Sequence, residues 1–179
     1  MEGLKKSAEA QKELLESGPE EMFTGSKSII WAPHPDDEII GCYEVLMNEN
    51  PAIIYSGDTE PARREEALKL REHAVIGPQL FLMTVPTSLM KKNNKFYFPD
   101  PVEEWHPQHR EVGFMGEQLA RAGYDVIFYS VNMQAKYIHR APDVQAKKEL
   151  LDKVYPSQKN LWKYDNKYYL FEGYCKWIF

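Results

Sequence analysis

Short apolar runs alternate with helical patterns along most of this chain, and that alternation restricts its fold more than any other feature. Ser28–Pro33 (SIIWAP), Ala52–Tyr55, Leu80–Val85 and Val126–Val131 (VIFYSV) are each strand-length. Between and after them come helical patterns at Glu38–Asn48, at about Pro61–Ile76 ending in Gly77-Pro78, at Pro107–Ala122, and at Asp143–Val154. The third of these carries Val112, Met115 and Leu119 on one face and has Gly123 just past its end. Such alternation predicts an α/β fold: a mainly parallel sheet with helices on both faces, in one domain, with chemistry beyond the carboxyl ends of the strands. Residues 86–105, with Asn93-Asn94 and Pro99-Asp100-Pro101, are expected to form a long connection holding a small flap. The aromatic C-terminal stretch is expected to supply one or two edge strands, with Tyr168, Tyr169, Phe171, Tyr174, Trp177 and Phe179 packed on the sheet edge. Residues 2–17 read as an exposed helix stopped by Gly18-Pro19, which divides the chain into an N-terminal helical extension (1–22) and one domain (23–179).

Composition narrows the function classes. No apolar run approaches the roughly 20 residues of a membrane helix, and the charged N-terminus has no apolar h-region, so neither a membrane partner nor a signal peptide is expected. Two cysteines, Cys42 and Cys175, cannot build a disulfide framework, which places the chain in a reducing cytoplasm. The net charge of −5 argues against a protein that coats nucleic acid. From Lys136 onward, however, nine Lys/Arg face five Asp/Glu, and from Tyr155 nine aromatics fall among 25 residues, a pattern that can also serve single-stranded nucleic acid.

Two segments carry chemistry. Pro33-His34-Pro35-Asp36-Asp37-Glu38 directly follows the first strand, and its prolines stiffen the turn so that the side chains diverge from a fixed backbone. His34 and Asp37 can supply two of the three protein ligands of a catalytic zinc, leaving Asp36 free as a base. His106-Pro107-Gln108-His109-Arg110 opens a helix, with Pro107 suited to its first position; one of its two imidazoles can reach the metal and the other the substrate. Taken singly, a His-Pro-Asp turn or a His-x-x-His pair is an ordinary surface feature. Together they hold three of the five histidines, each where an α/β site belongs.

With these residues in view, the chain resembles the PIG-L/LmbE-like N-acetylglucosaminyl deacetylases, marked by an (A/P)HPDDE motif after the first strand and a later HPDH-like motif. Arg63-Arg64-Glu65-Glu66-Ala67 is similar to the family's R-x-x-E-A helix, and Lys147–Gln158 (KKELLDKVYPSQ) to its late lysine helix ending in Ser-Gln, so the likeness spans residues 28–158 in order. The resemblance implies a Rossmann-like fold, zinc (or Fe2+) on His34, Asp37 and His109, Asp36 as general base, His106 stabilising or protonating the tetrahedral intermediate, and Arg63 touching the sugar. The chain departs from the pattern at Gly41-Cys42-Tyr43-Glu44, where glycines are usual, and at Gln108, where an aspartate between the histidines would help keep His106 protonated.

The resulting expectation is a zinc-dependent N-deacetylase of an amino sugar or sugar conjugate. Two alternatives stand beside it: a deacylase of a modified nucleoside or nucleic acid docked on the basic tail, and a non-catalytic ligand-binding module. His139, after the fourth strand, is a candidate substrate contact. Cys42 reads as a packed residue, and Ser157-Gln158 as orienting the late helix near the site.

Overall fold

The computed structural model describes residues 26–57, 60–79, 91, 93–132, 135 and 137–177; the expected helix over 2–17, the expected strand over 80–85 and Phe179 lie outside them. Its first strand, β1 (Ser28–Ala32), lies inside the sheet and is buried along its whole length, as a strand covered on both faces must be. The chain then runs through α1 (Asp37–Glu49), β2 (Ala52–Tyr55), α2 (Pro61–Ala67) with a 3₁₀ turn (Leu68–Glu72), and β3 (Val75–Gln79). It continues through β4 (Lys95–Pro99), α3 (Pro107–Arg121), β5 (Asp125–Tyr129), β6 (Ile138–Arg140) and α4 (Val144–Val154). After a 3₁₀ turn (Pro156–Gln158) come two short helices, α5 (Lys159–Tyr164) and α6 (Lys167–Leu170), and finally β7 (Phe171–Cys175).

Among the described residues, seven strands form one mixed sheet in the order β3-β2-β1-β4-β5-β7-β6. The first five are parallel, and β7 joins β5 and β6 antiparallel. Alternate residues serve alternate faces. Ile30, Ala32, Ile53, Tyr55, Tyr97 and Tyr129 point into one core with α1, α2 and α4. Ile29, Trp31, Ala52, Ile54, Phe96, Phe98 and Phe128 point into the other with Val112, Met115 and Leu119 of α3. The steps β1→β2→β3 and β4→β5 run in opposite directions across the sheet, so a common crossover hand puts their helices on opposite faces. The order therefore reverses between β1 and β4, the place where the carboxyl ends of adjacent strands diverge and leave a crevice.

Three expectations need correction. Lys95–Pro99 is not part of a flap: it is β4, paired on both sides and buried from Phe96 to Pro99. The helix from Pro61 stops before Ile76, and Val75–Gln79, including Gly77-Pro78, is a strand on the sheet margin, where a proline costs no interior ladder bond. Of the C-terminal aromatics read as strand positions, Tyr168 and Tyr169 lie in α6, while Phe171 and Tyr174 lie in β7, which is not an edge. No helix among the described residues is long and apolar enough to cross a membrane.

Candidate metal centre

The site lies at the reversal point. The turn after β1 carries His34, Asp36 and Asp37, and the segment from Asp100 into the first turn of α3 carries Glu104, His106 and His109. The β1 turn is pinned from beside it. Gly57 donates to the Pro33 carbonyl at 2.7 Å, so close that a Cβ at residue 57 would stand 2.3 Å from that oxygen.

Three donor atoms converge. His34 Nδ1 and His109 Nε2 are 3.2 Å apart, and each lies 3.3 Å from Asp37 Oδ2. A tetrahedral zinc with bonds of about 2.0–2.1 Å requires donor separations of roughly 3.3–3.4 Å. The triangle thus fits one face of such a shell, and this group could hold a metal ion. His34 is further held by its own backbone N–H, which donates to Asp37 Oδ2 at 2.8 Å.

The electrostatics suit a cation. Burial alone would raise the Asp37 pKa, but His109 and His34 hold it well below the usual carboxylate range. Burial alone would lower His109, yet Asp37 on one side and Glu104 on the other bring it up to about 10, so without metal it is an imidazolium between two carboxylates. Asp36, beside them, is pushed well up by burial and by Asp37, against the pull of Arg63. Its backbone has φ 114°, a conformation that costs a non-glycine residue about 1–3 kcal/mol and is typical of functional sites. Arg63 clamps it there, donating to the Pro35 carbonyl at 2.7 Å and meeting Asp36 Oδ2 at 2.8 Å.

His106 completes the group, its ring 4.8 Å from that of His109 and 5.1 Å from that of His34. Burial and the two neighbouring imidazoles lower its pKa, so it is a neutral imidazole. Its Nδ1 is buried without a hydrogen-bond partner among the described residues. Gln108 does not sit beside His106 to tune it: its Oε1 meets His34 Nε2 at 2.5 Å.

These side chains floor a cavity of about 330 Å³. Its lining also includes Trp105, which is 69% exposed, Leu161 and Tyr168. Gln158 reaches the same cavity, while Ser157 bonds Glu66 instead. The structure does not bring in His139, which lies exposed on β6, paired in register with Glu172 and with its ring 6.0 Å from Tyr174. Cys42 is buried in the core, as expected. Of the C-terminal lysines, Lys147, Lys148, Lys159, Lys167 and Lys176 each have a carboxylate within 4.0 Å, but only Lys176 finds its partner, Asp125, outside the C-terminal segment, so most of the basic excess there stands.

Sequence reasoning missed Glu104. Its Oε2 meets His109 Nδ1 at 3.0 Å, while Oε1 accepts from the backbone of Val131 at 2.6 Å and from Ser130 Oγ at 3.1 Å. The only signal was an acid placed two residues before His106 and five before His109. Compared with protein-family models, curated protein sequences and solved structures, the chain finds no match in any of the three.

Proposed function

We propose that this protein is a zinc-dependent hydrolase that removes the N-acetyl group of an amino sugar or sugar conjugate, built on a Rossmann-like sheet of the PIG-L/LmbE-like kind. The observation that carries the reading is the triangle His34–Asp37–His109, open to a cavity and flanked by a clamped, strained Asp36. The same nitrogen–oxygen donor set tolerates Fe2+. Two free cysteines, Cys42 and Cys175, accord with a reducing cytoplasm.

When bound, a divalent ion supplies polarisation of the amide carbonyl and a water acidified toward pH 7. The chain's own residues do the rest. Asp36, held in place by Arg63 and more basic than an ordinary carboxylate, takes the proton of the attacking water. His106, as a neutral imidazole, donates an N–H to the oxygen on which negative charge develops. As the C–N bond breaks, the proton held by Asp36 passes to the departing nitrogen, the acid's remaining proton goes to the freed amine, and acetate and an ammonium leave. Trp105, Leu161 and Tyr168 present apolar surface on which a sugar ring can stack.

The test combines metal content with acetate release over N-acetylglucosamine and its phosphate, nucleotide and glycoside forms, using Asp36→Ala as the blank. One zinc per chain, lost in His34→Ala, together with acetate release lost in Asp36→Ala, is the expected result. Full activity in protein free of metal would overturn it.

A further inference from the structure

The two histidines of the triangle present opposite nitrogens. His109 turns Nε2 inward and its Nδ1 outward to Glu104 Oε2; His34 turns Nδ1 inward and its Nε2 outward to Gln108 Oε1. An imidazole that gives one nitrogen to an ion carries its proton on the other, and that N–H needs an acceptor. Both acceptors are in place, at 3.0 Å for Glu104 and 2.5 Å for Gln108, and they differ in charge.

We propose that Gln108 is a positioning residue for the metal: its side-chain carbonyl locks His34 in the Nε2–H form that ligates through Nδ1, and its neutrality makes His34 the weaker of the two imidazole donors. The proposal rests on His34, Asp37 and His109 being a divalent-metal site. A carboxylate acceptor raises the basicity of the imidazole that it holds, and a charge-assisted hydrogen bond is about twice as strong as a neutral one. Glu104 is such an acceptor, fully buried and anchored to the end of β5 through Val131 and Ser130. Gln108, in the first turn of α3 one residue before His109, gives His34 position without that extra charge. The site therefore grips its ion less tightly, and leaves it more electrophilic, than two carboxylate-backed histidines would.

The experiment titrates Zn2+ and Co2+ into the metal-free full chain against a chromophoric chelator, for the wild type and for Gln108→Glu, Gln108→Met and Glu104→Gln. Gln108→Glu is expected to tighten binding about tenfold and Gln108→Met to weaken it about tenfold, with Glu104→Gln weaker by about 10–100-fold. Melting of each metal-free variant shows that it is folded, and the gain in Gln108→Glu is a result that lost packing cannot produce. Long-range ¹H–¹⁵N spectra of the zinc-loaded wild type read the tautomers directly, with His34 expected as Nε2–H and His109 as Nδ1–H. If His34 is instead Nδ1–H, or if both Gln108 variants bind within twofold of the wild type, the proposal falls while the metal site stands. If the wild type binds neither ion, the metal site falls and takes the proposal with it.

Discussion

Two buried charge clusters lie along α1, and they are built for opposite ends. At its start, His34, Asp37 and His109 aim their donor atoms at one another across about 3.3 Å and open on a cavity. At its middle, Lys147 and Glu172 are each fully buried and lie 4.0 Å apart, closed off from solvent. Lys147 Nζ donates to the carbonyls of Ile40 at 2.6 Å and Phe171 at 2.8 Å, while Glu172 Oε2 accepts from the Glu44 N–H at 3.1 Å and the Tyr174 hydroxyl at 2.5 Å. Ile40 and Glu44 would bond each other in an unbroken helix. Here α1 has non-helical angles at Cys42, and the ion pair takes up the two backbone groups, so the kink has a definite cause. Burial alone thus does not mark a functional charge. A cluster whose polar atoms are mostly spent on the backbone is a clamp; one whose lone pairs face an opening could hold a metal ion.

The largest effect that would break this contrast is loss of His109. His109→Ala removes one corner of the triangle, and metal content should fall from about one ion per chain to near zero, with hydrolysis down by roughly 10²–10³-fold or more. Retention of stoichiometric metal, read by elemental analysis, would show that the triangle is another clamp.

Next comes the clamp itself. Lys147→Met strands Glu172 and leaves the carbonyls of Ile40 and Phe171 without their donor, which should cost about 3–5 kcal/mol. For a chain of this length that is a drop of about 6–20 °C in melting temperature. The double variant Lys147→Met/Glu172→Leu should recover much of the loss, and the folded fraction of either should still bind metal. Metal loss in the folded variants would mean that the clusters are coupled through Ile40, which both the cavity and Lys147 touch.

A smaller effect sharpens the same point through pH. Burial lowers the Lys147 pKa from 10.5 to about 8, against the pull of Glu172. Between those values the unfolded chain holds a proton that the folded chain has released, so this lysine makes unfolding harder as pH rises from about 8 to 10.5, by up to about 3 kcal/mol. Urea unfolding across that range should show the slope in the wild type and a flatter one in Lys147→Met/Glu172→Leu. Equal slopes would mean that the ammonium is not desolvated in the folded protein.

How much of this was legible beforehand follows from range. β1, β2 and β5 could be read because each is an apolar run bounded by turn residues. β4 could not: Asn93-Asn94 and Pro99-Asp100-Pro101 crowd an apolar run of three residues, Phe96–Phe98, and its sheet partners lie far away at Ser28–Ile30 and Asp125–Tyr129. The alternating aromatics after Tyr155 imitate a strand pattern, but α5 and α6 pack Trp162 and Tyr168 against the core with helical backbone. At the site, the His34–Asp37 turn is local and its chemistry shows in four residues. The aim of Gln108 is not, because its place between His106 and His109 says nothing about which way a first-turn side chain points. Glu104 was hidden for the same reason, since its bond to His109 depends on how the segment before α3 bends back.

The smallest expected effect tests whether burial, rather than pairing, separates the clamp from the rest of the basic C-terminal region. Lys159 also has a carboxylate partner, Asp152 at 3.7 Å, but its side chain is 57% exposed. An exposed ion pair gains little in water and spends side-chain entropy to form, so Lys159→Ala should change stability by less than about 0.5 kcal/mol, a melting shift of about 2 °C or less. The shift should shrink further in high salt, while the penalty in Lys147→Met should persist, because a buried pair is poorly screened. A salt-insensitive loss of several degrees in Lys159→Ala would show that the surface pairs share the structural role that the geometry gives to Lys147 and Glu172 alone.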